Sequence, residues 1–241
     1  ANGLPAIGEQ AAAAWLSEAL PDVLGADRDR FAGRRVLVVG SGHSAANTLL
    51  ALAQLTQDAP DTQIHWAIRS RTPARSFGGG DADELPERGK LGTRLRALAT
   101  SGHMTVHAGF RTSRLEPLAA KPEDGPVRVV SVDADGHETA VDVDIVVSAT
   151  GFRPDFDLAR ELRLDLDSTL ESVRALAPLI DPNSHSCGTV RPQGHRELEQ
   201  LERGYYVVGM KSYGRAPTLL MATGYEQVRS IAAHLAGDGF G

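Results

Sequence analysis

The stretch RVLVVGSGHSAANTLLALAQL, residues 35–55, decides the fold. Arg35–Gly40 is short, apolar and β-branched, the pattern of a strand buried on both faces of a parallel sheet. Gly40-Ser41-Gly42-His43-Ser44-Ala45 turns the chain. Ala45, Ala46, Leu49, Leu50 and Ala53 then recur at helical spacing. Asp58-Ala59-Pro60-Asp61 ends the helix, and Gln63–Ile68 alternates into a second strand, so a strand–helix–strand unit is complete by Arg69.

A lone GxGxxG is weak evidence, but here a strand precedes it and a helix follows. Gly40 permits the tight turn, and Gly42 lets a pyrophosphate approach the backbone. Ala45 replaces the third glycine, a tolerated exchange where helix and strand pack closely. The helix start offers unpaired N–H groups and a positive dipole end to phosphates. Ser41 and His43 lie in the turn, and the Ser44 hydroxyl adds a donor. The competing reading is a tight turn that binds nothing. The second strand ends Ile68-Arg69-Ser70-Arg71, with no acid for a ribose 2′-hydroxyl. Arg69 and Arg71 suit a 2′-phosphate, so NADP(H) is expected over NAD. The missing acid also argues against an S-adenosylmethionine site.

Outward from this unit, residues 1–32 read as linker and helix, with a helix over Gln10–Leu20 ended by Pro21. Arg71–Arg88 is a loop carrying Gly78-Gly79-Gly80, Leu91–Ala99 is helical, and His103–His107 is a third strand. Phe110–Leu115, Val127–Val132 and Glu138–Val143 are short segments between turn signals such as Asp133-Ala134-Asp135-Gly136, which read as an antiparallel meander. Asp144–Thr150 is a buried strand stopped by Gly151. Tyr205–Gly209 reads as another strand, and Pro217 as the opening of a helix over Thr218–Ala236. That helix has an apolar face of Leu220, Val228, Ile231 and Leu235. The expected fold is α/β: a Rossmann-type parallel sheet with an antiparallel β-meander insertion, plus the C-terminal strand and helix of a second, FAD-type domain. The expected divisions are 1–32 (linker and helix), 33–153 (NADP(H)-binding domain) and 154–241 (the FAD-type part).

VLVVGSGHSA (36–45), SATGFRPD (148–155) and YYVVGMKSYGRAPTLLMATGYEQVRSIAAHLAG (205–237), in this order, resemble the two-dinucleotide flavoproteins. This is the flavin-containing monooxygenase and thioredoxin-reductase-like superfamily. The nearest likeness is to flavoproteins associated with arsenic-resistance gene clusters, over roughly residues 20–236. The resemblance implies NADPH on the Gly40–Ala45 turn, with Thr150 and Gly151 at the return to an FAD domain. It places FAD near Gly209, Met210, Pro217 and Thr218, and implies hydride transfer from NADPH to FAD and on to a small-molecule acceptor. Two departures stand out. Gly209-Met210 replaces the Gly-Asp that holds the ribityl chain, and the family's first FAD-binding turn would lie upstream of Ala1. The chain opens on Ala1 rather than Met, so the expectation is a processed N-terminus or a piece of a longer protein that holds FAD poorly alone. The monooxygenase signature would fall outside it as well. The alternative is a non-catalytic NADP(H)-binding module or subunit.

Composition narrows the remaining classes. Net charge is −6, so a basic nucleic-acid footprint is not expected, and with Lys only at 90, 121 and 211 nearly all the positive charge is Arg. No apolar run approaches a membrane span, and Ala11–Ala14 is no signal peptide, so a cytoplasmic protein is expected. A homodimer, or a missing FAD-binding segment, is the expected partner. Cys187 is the only cysteine, which excludes an internal disulfide and a CxxC pair. A structural role for Cys187 outweighs a nucleophilic one beside His185. His103 and His107 point the same way from one strand, with too few companions for a metal site. Tyr213 and Tyr225 read as packing before flavin or substrate contact. No catalytic side chain is nominated.

Overall fold

The computed structural model describes residues 5–79, 83, 85–182, 184, 190, 191 and 193–237. The chain divides into two compact units, residues 1–151 and 152–241. No helix among the described residues is long and apolar enough to cross a membrane.

Among its described residues the first unit contains eight strands: β1 (Leu16–Ser17), β2 (Arg35–Val39), β3 (Gln63–Ile68), β4 (Thr105–Ala108), β5 (Thr112–Pro117), β6 (Val127–Val132), β7 (Glu138–Val143) and β8 (Ile145–Ser148). Its helices are α1 (Arg28–Phe31), α2 (His43–Leu55) and α3 (Pro86–Thr100). Five strands form one parallel sheet in the order β1-β8-β2-β3-β4, and β5-β6-β7 form a separate antiparallel sheet. β2 and β3 pair from Arg35–Gln63 to Val39–Ala67, and β8 lies on the other side of β2, from Val36–Ile145 to Val39–Ser148. Strand order therefore reverses beside β2. The meander turns at Asp133, whose carboxylate accepts the N–H groups of Asp135 and His137.

Both faces of the parallel sheet are covered, which is why its strands read as continuous apolar runs. One face carries Val36, Val38, Ile64 and Trp66 against Leu49, Leu52 and Leu95 of α2 and α3. The other carries Leu37, Ala67 and Val146 with Trp15, Phe110 and Val129. At the base, Asp144 ties β8 to β2: its carboxylate accepts from the Arg35 backbone N–H at 2.8 Å and from the guanidinium at 2.6 and 3.2 Å.

The helix expected over Gln10–Leu20 is instead one 3-10 turn, Ala13–Trp15, followed by β1 paired to β8. Tertiary packing overrides the alanine-rich propensity here: Ala12 and Trp15 are buried, and the Trp15 indole N–H donates to the Gly125 carbonyl at 3.0 Å. The third strand runs two residues later at its start than expected, and His103 lies outside it, hydrogen-bonded to Ser101.

The second unit has no strand among its described residues. Its helices are α4 (Ala177–Ile180), α5 (His195–Leu198), α6 (Met210–Tyr213) and α7 (Met221–Ala236) around a core of Val173, Leu176, Ile180, Leu198, Val207 and Tyr213. The strand expected over Tyr205–Gly209 is reduced to one bridge, Glu199 to Tyr206. Pro217 does not open the last helix, which starts at Met221 after Leu220. Its buried stripe is polar, Thr223 and Gln227, whereas Val228 and Leu235 of the expected apolar face are exposed. Gln227 faces inward because it serves the main chain: its carbonyl accepts the Gly209 N–H at 2.8 Å, and its amide donates to Ser212 at 3.2 Å.

Spacing within one strand did not reveal the partner of His107. Parallel pairing of β3 and β4 sets its ring 3.1 Å from His65, nitrogen to nitrogen, with the rings stacked. Burial lowers the pKa of both imidazoles. His65 is lowered further by His107 and by Arg35, itself paired to Asp144. With native values below the ordinary 6.5, the unfolded chain binds more protons as the pH falls through 6.5. Stability is therefore full above that value and drops below it until the native values are reached. Melting temperature should fall from pH 7 to pH 5, and His65→Leu with His107→Phe should flatten that slope. An unchanged slope would remove the pair as its source.

Candidate functional site

The Gly40–Ala45 turn sits at the carboxyl end of β2, next to the strand-order reversal, where open α/β sheets take their ligands. Gly40 has φ of +136°, and a Cβ there would lie 2.1 Å from the Ala149 carbonyl oxygen. Only glycine fits. Its N–H donates to the Ala67 carbonyl at 3.0 Å, and its carbonyl accepts the Trp66 indole N–H at 2.7 Å. Gly42 is different: φ is −90°, an extended conformation any residue adopts, and nothing lies within 4 Å of its Cβ position. The glycine keeps space open where a ligand would meet the backbone. No side chain caps the start of α2, where the first N–H groups of a helix have no intrahelical partner.

Around the turn, Ser41 and His43 are exposed, Ser44 is half-buried and Ala45 is fully buried against the sheet. The His43 carbonyl accepts the Asn47 amide at 3.0 Å. On the β8 side, Ala149 donates its N–H to Val39 at 2.9 Å, placing Thr150 and Gly151 at the same sheet edge. Both are exposed, and the Thr150 hydroxyl lies 3.4 Å from that of Ser148. On the β3 side, Arg69 and Arg71 are exposed at the strand end. That end is pinned by Phe110 and Gly109, whose N–H groups donate to Ile68 and Ser70. The sheet thus brings the turn, the arginines and Thr150–Gly151 to one edge. Sequence reading missed Trp66, although parallel register puts it beside Val38 on the face that receives α2.

The residues expected at a flavin lie in the second unit. The Gly209 N–H is taken by Gln227, and its carbonyl accepts the Ser212 hydroxyl at 2.7 Å. Thr218 is buried, its hydroxyl 3.4 Å from the Ile180 carbonyl. Pro217 has no N–H, and Met210 is exposed but offers only a thioether, a weak acceptor. Gly209 has no side chain, and those of Met210, Pro217 and Thr218 do not fit the ribityl hydroxyls of FAD. Tyr213 is fully buried, its hydroxyl donating to Gln193 at 2.9 Å, so it packs, whereas Tyr225 is exposed. Cys187 and His185 lie outside the described residues.

No protein-family model matches the chain, and no curated protein matches it. Solved structures do. Bacillithiol disulfide reductase from Bacillus cereus superposes with a TM-score of 0.59 over 86% of this chain and 51% of its own, at 15% identity. T. acidophilum thioredoxin reductase gives 0.57 over 97% and 61%, at 12% identity. An HOCl-induced flavoprotein disulfide reductase from Escherichia coli gives 0.60 over 98% and 42%, also at 12%. The chain has a thioredoxin-reductase-like fold. It spans 42–61% of the length of these three proteins. The narrower likeness to arsenic-cluster flavoproteins has no counterpart among them.

The two glycines of the turn should separate in mutagenesis. Gly42→Val should melt like wild type and lose the stabilisation that NADPH confers, because its side chain would fill the ligand's space. Gly40→Ala should destabilise by about 2 kcal/mol or more, through backbone strain and contact with Ala149. A Gly42→Val chain still stabilised by NADPH in thermal melts would show that the turn is not the phosphate site.

Proposed function

We propose that this chain binds NADP(H) and is the pyridine-nucleotide portion of a flavoprotein oxidoreductase. The observation that carries this reading is the pairing of a sterically fixed Gly40 with open space over Gly42 at an uncapped helix start. The pyrophosphate would lie over Gly42 and accept bonds from the first N–H groups of α2. Arg69 and Arg71 would hold the 2′-phosphate, and Thr150–Gly151 would bound the site on the β8 side. NADPH supplies hydride when bound, and the resemblance in sequence names FAD as its acceptor and a small molecule as the final one. The solved structures support the flavoprotein reading through fold alone.

One observation favours a second reading, an NADP(H)-binding module without flavin chemistry of its own: Met210 and Pro217 offer the ribityl chain no strong acceptor, and the Thr218 hydroxyl is buried beside the Ile180 carbonyl. Flavin retention tests the module reading. The chain mixed with excess FAD and passed through gel filtration should lose its visible flavin absorbance. Stoichiometric retention would mean that this chain holds a working flavin site and that the module reading is wrong.

Cofactor preference tests the site itself. A charge-assisted hydrogen bond contributes about 1.5–3 kcal/mol, so Arg69→Ala or Arg71→Ala should weaken NADPH by roughly tenfold or more. Neither should change NADH. Equal losses for both dinucleotides in titration calorimetry would remove the arginines from the 2′-phosphate.

A further inference from the structure

We propose that Trp66 is a positioning residue for the dinucleotide, setting both the pyrophosphate turn and the arginine loop from inside the core. The inference rests on the NADP(H) reading above and names a residue that reading does not use. Trp66 is fully buried in the middle of β3. A buried indole N–H needs a partner, and this one takes the Gly40 carbonyl at 2.7 Å. The Gly40 carbonyl and the Ser41 N–H belong to one planar trans peptide, so they point in opposite directions. Drawing the carbonyl into the core therefore aims the Ser41 N–H outward, on the side where Ser41 is exposed. The adjoining N–H of Gly40 donates to Ala67, so β3 holds the peptides on both sides of this glycine.

The same ring reaches the arginine loop. Phe77 lies 6.3 Å from Trp66, centroid to centroid, at a tilt of 54°. Phe77 is the buried anchor of the segment that begins at Arg69 and includes Arg71 and Arg75. Its carbonyl meets α3 at Gly92, where a Cβ would lie 1.9 Å from the oxygen, and the Arg96 guanidinium sits 5.3 Å above its ring. Trp66 thus has two arms. The hydrogen bond acts on the turn, which meets the part common to NADH and NADPH. The Phe77 contact acts on the loop, which meets only the 2′-phosphate.

The arms can be cut one at a time in the full chain. Replacing Trp66 by β-(3-benzothienyl)alanine keeps the shape of the indole and removes its N–H. Affinity for NADH and NADPH should fall together by roughly fivefold, the size expected for one hydrogen bond. Gly92→Ala raises helix propensity but pushes on the Phe77 carbonyl. It should weaken NADPH severalfold and spare NADH, lowering the ratio of the two affinities. By reciprocity, saturating NADPH should slow hydrogen exchange at the Trp66 indole of the unaltered chain. A benzothienyl chain that melts lower yet binds both dinucleotides like wild type would make Trp66 merely structural and overturn the proposal, as would indole exchange indifferent to NADPH. An unaltered chain that binds neither dinucleotide would instead overturn the NADP(H) reading, and this inference with it.

Discussion

Gly40 stands where three strands meet, and the geometry of the candidate site depends on how little room it has. Its φ of +136° excludes ordinary side chains, and Ala149 on the neighbouring strand occupies the place of a Cβ. β3 holds it from the other side through Ala67 and Trp66. A residue held on all sides has one direction left for the chain to follow, and α2 starts there. Two residues later the constraint is reversed: Gly42 is unobstructed and in a conformation open to any residue. Sterics on the protein side account for the first glycine and not for the second.

The fixed turn also depends on register. Moving β8 by one residue along β2 would turn Val147 and Val146 to the wrong faces and withdraw Ala149 from Gly40. The Arg35–Asp144 pair opposes such a slip at the base of the same two strands, joining side chain to side chain and side chain to backbone. Burial pushes the Asp144 carboxyl up, and the Arg35 hydrogen bonds outweigh it and hold the pKa below the ordinary carboxylate value. The pair is half-exposed, so its value lies less in net stability than in fixing one alignment of the strands.

How far the sequence shows this depends on the range of the forces involved. β2, α2 and β3 were legible because periodicity, turn chemistry and burial agree along one short stretch. The three meander segments were legible because Asp and Gly mark their turns. Residues 10–20 were not: alanine favours helix locally, and only the contacts of Trp15 and the pairing of Leu16 with Val146 explain the strand. Trp66 reads as one more apolar strand residue, since the carbonyl it holds is 26 residues away in the chain. The His65–His107 pair is hidden for the same reason, because it exists only once β3 and β4 lie side by side.

The second unit shows what happens when an internal group takes the role a ligand would have. Val228 and Leu235 give α7 an apolar period in sequence, yet the side chains buried on it are Thr223 and Gln227. Gln227 is fully buried because the Gly209 N–H needs a partner there, and an apolar residue would leave it unpaired. Gly209 precedes a helix, as Gly42 does. The structure separates them by hydrogen bonding. At Gly209 the main chain answers to Gln227 and Ser212, and the turn is complete within the protein. At Gly42 no side chain caps the helix and the space above stays open, so the donors there are available to an anion that the chain itself does not provide.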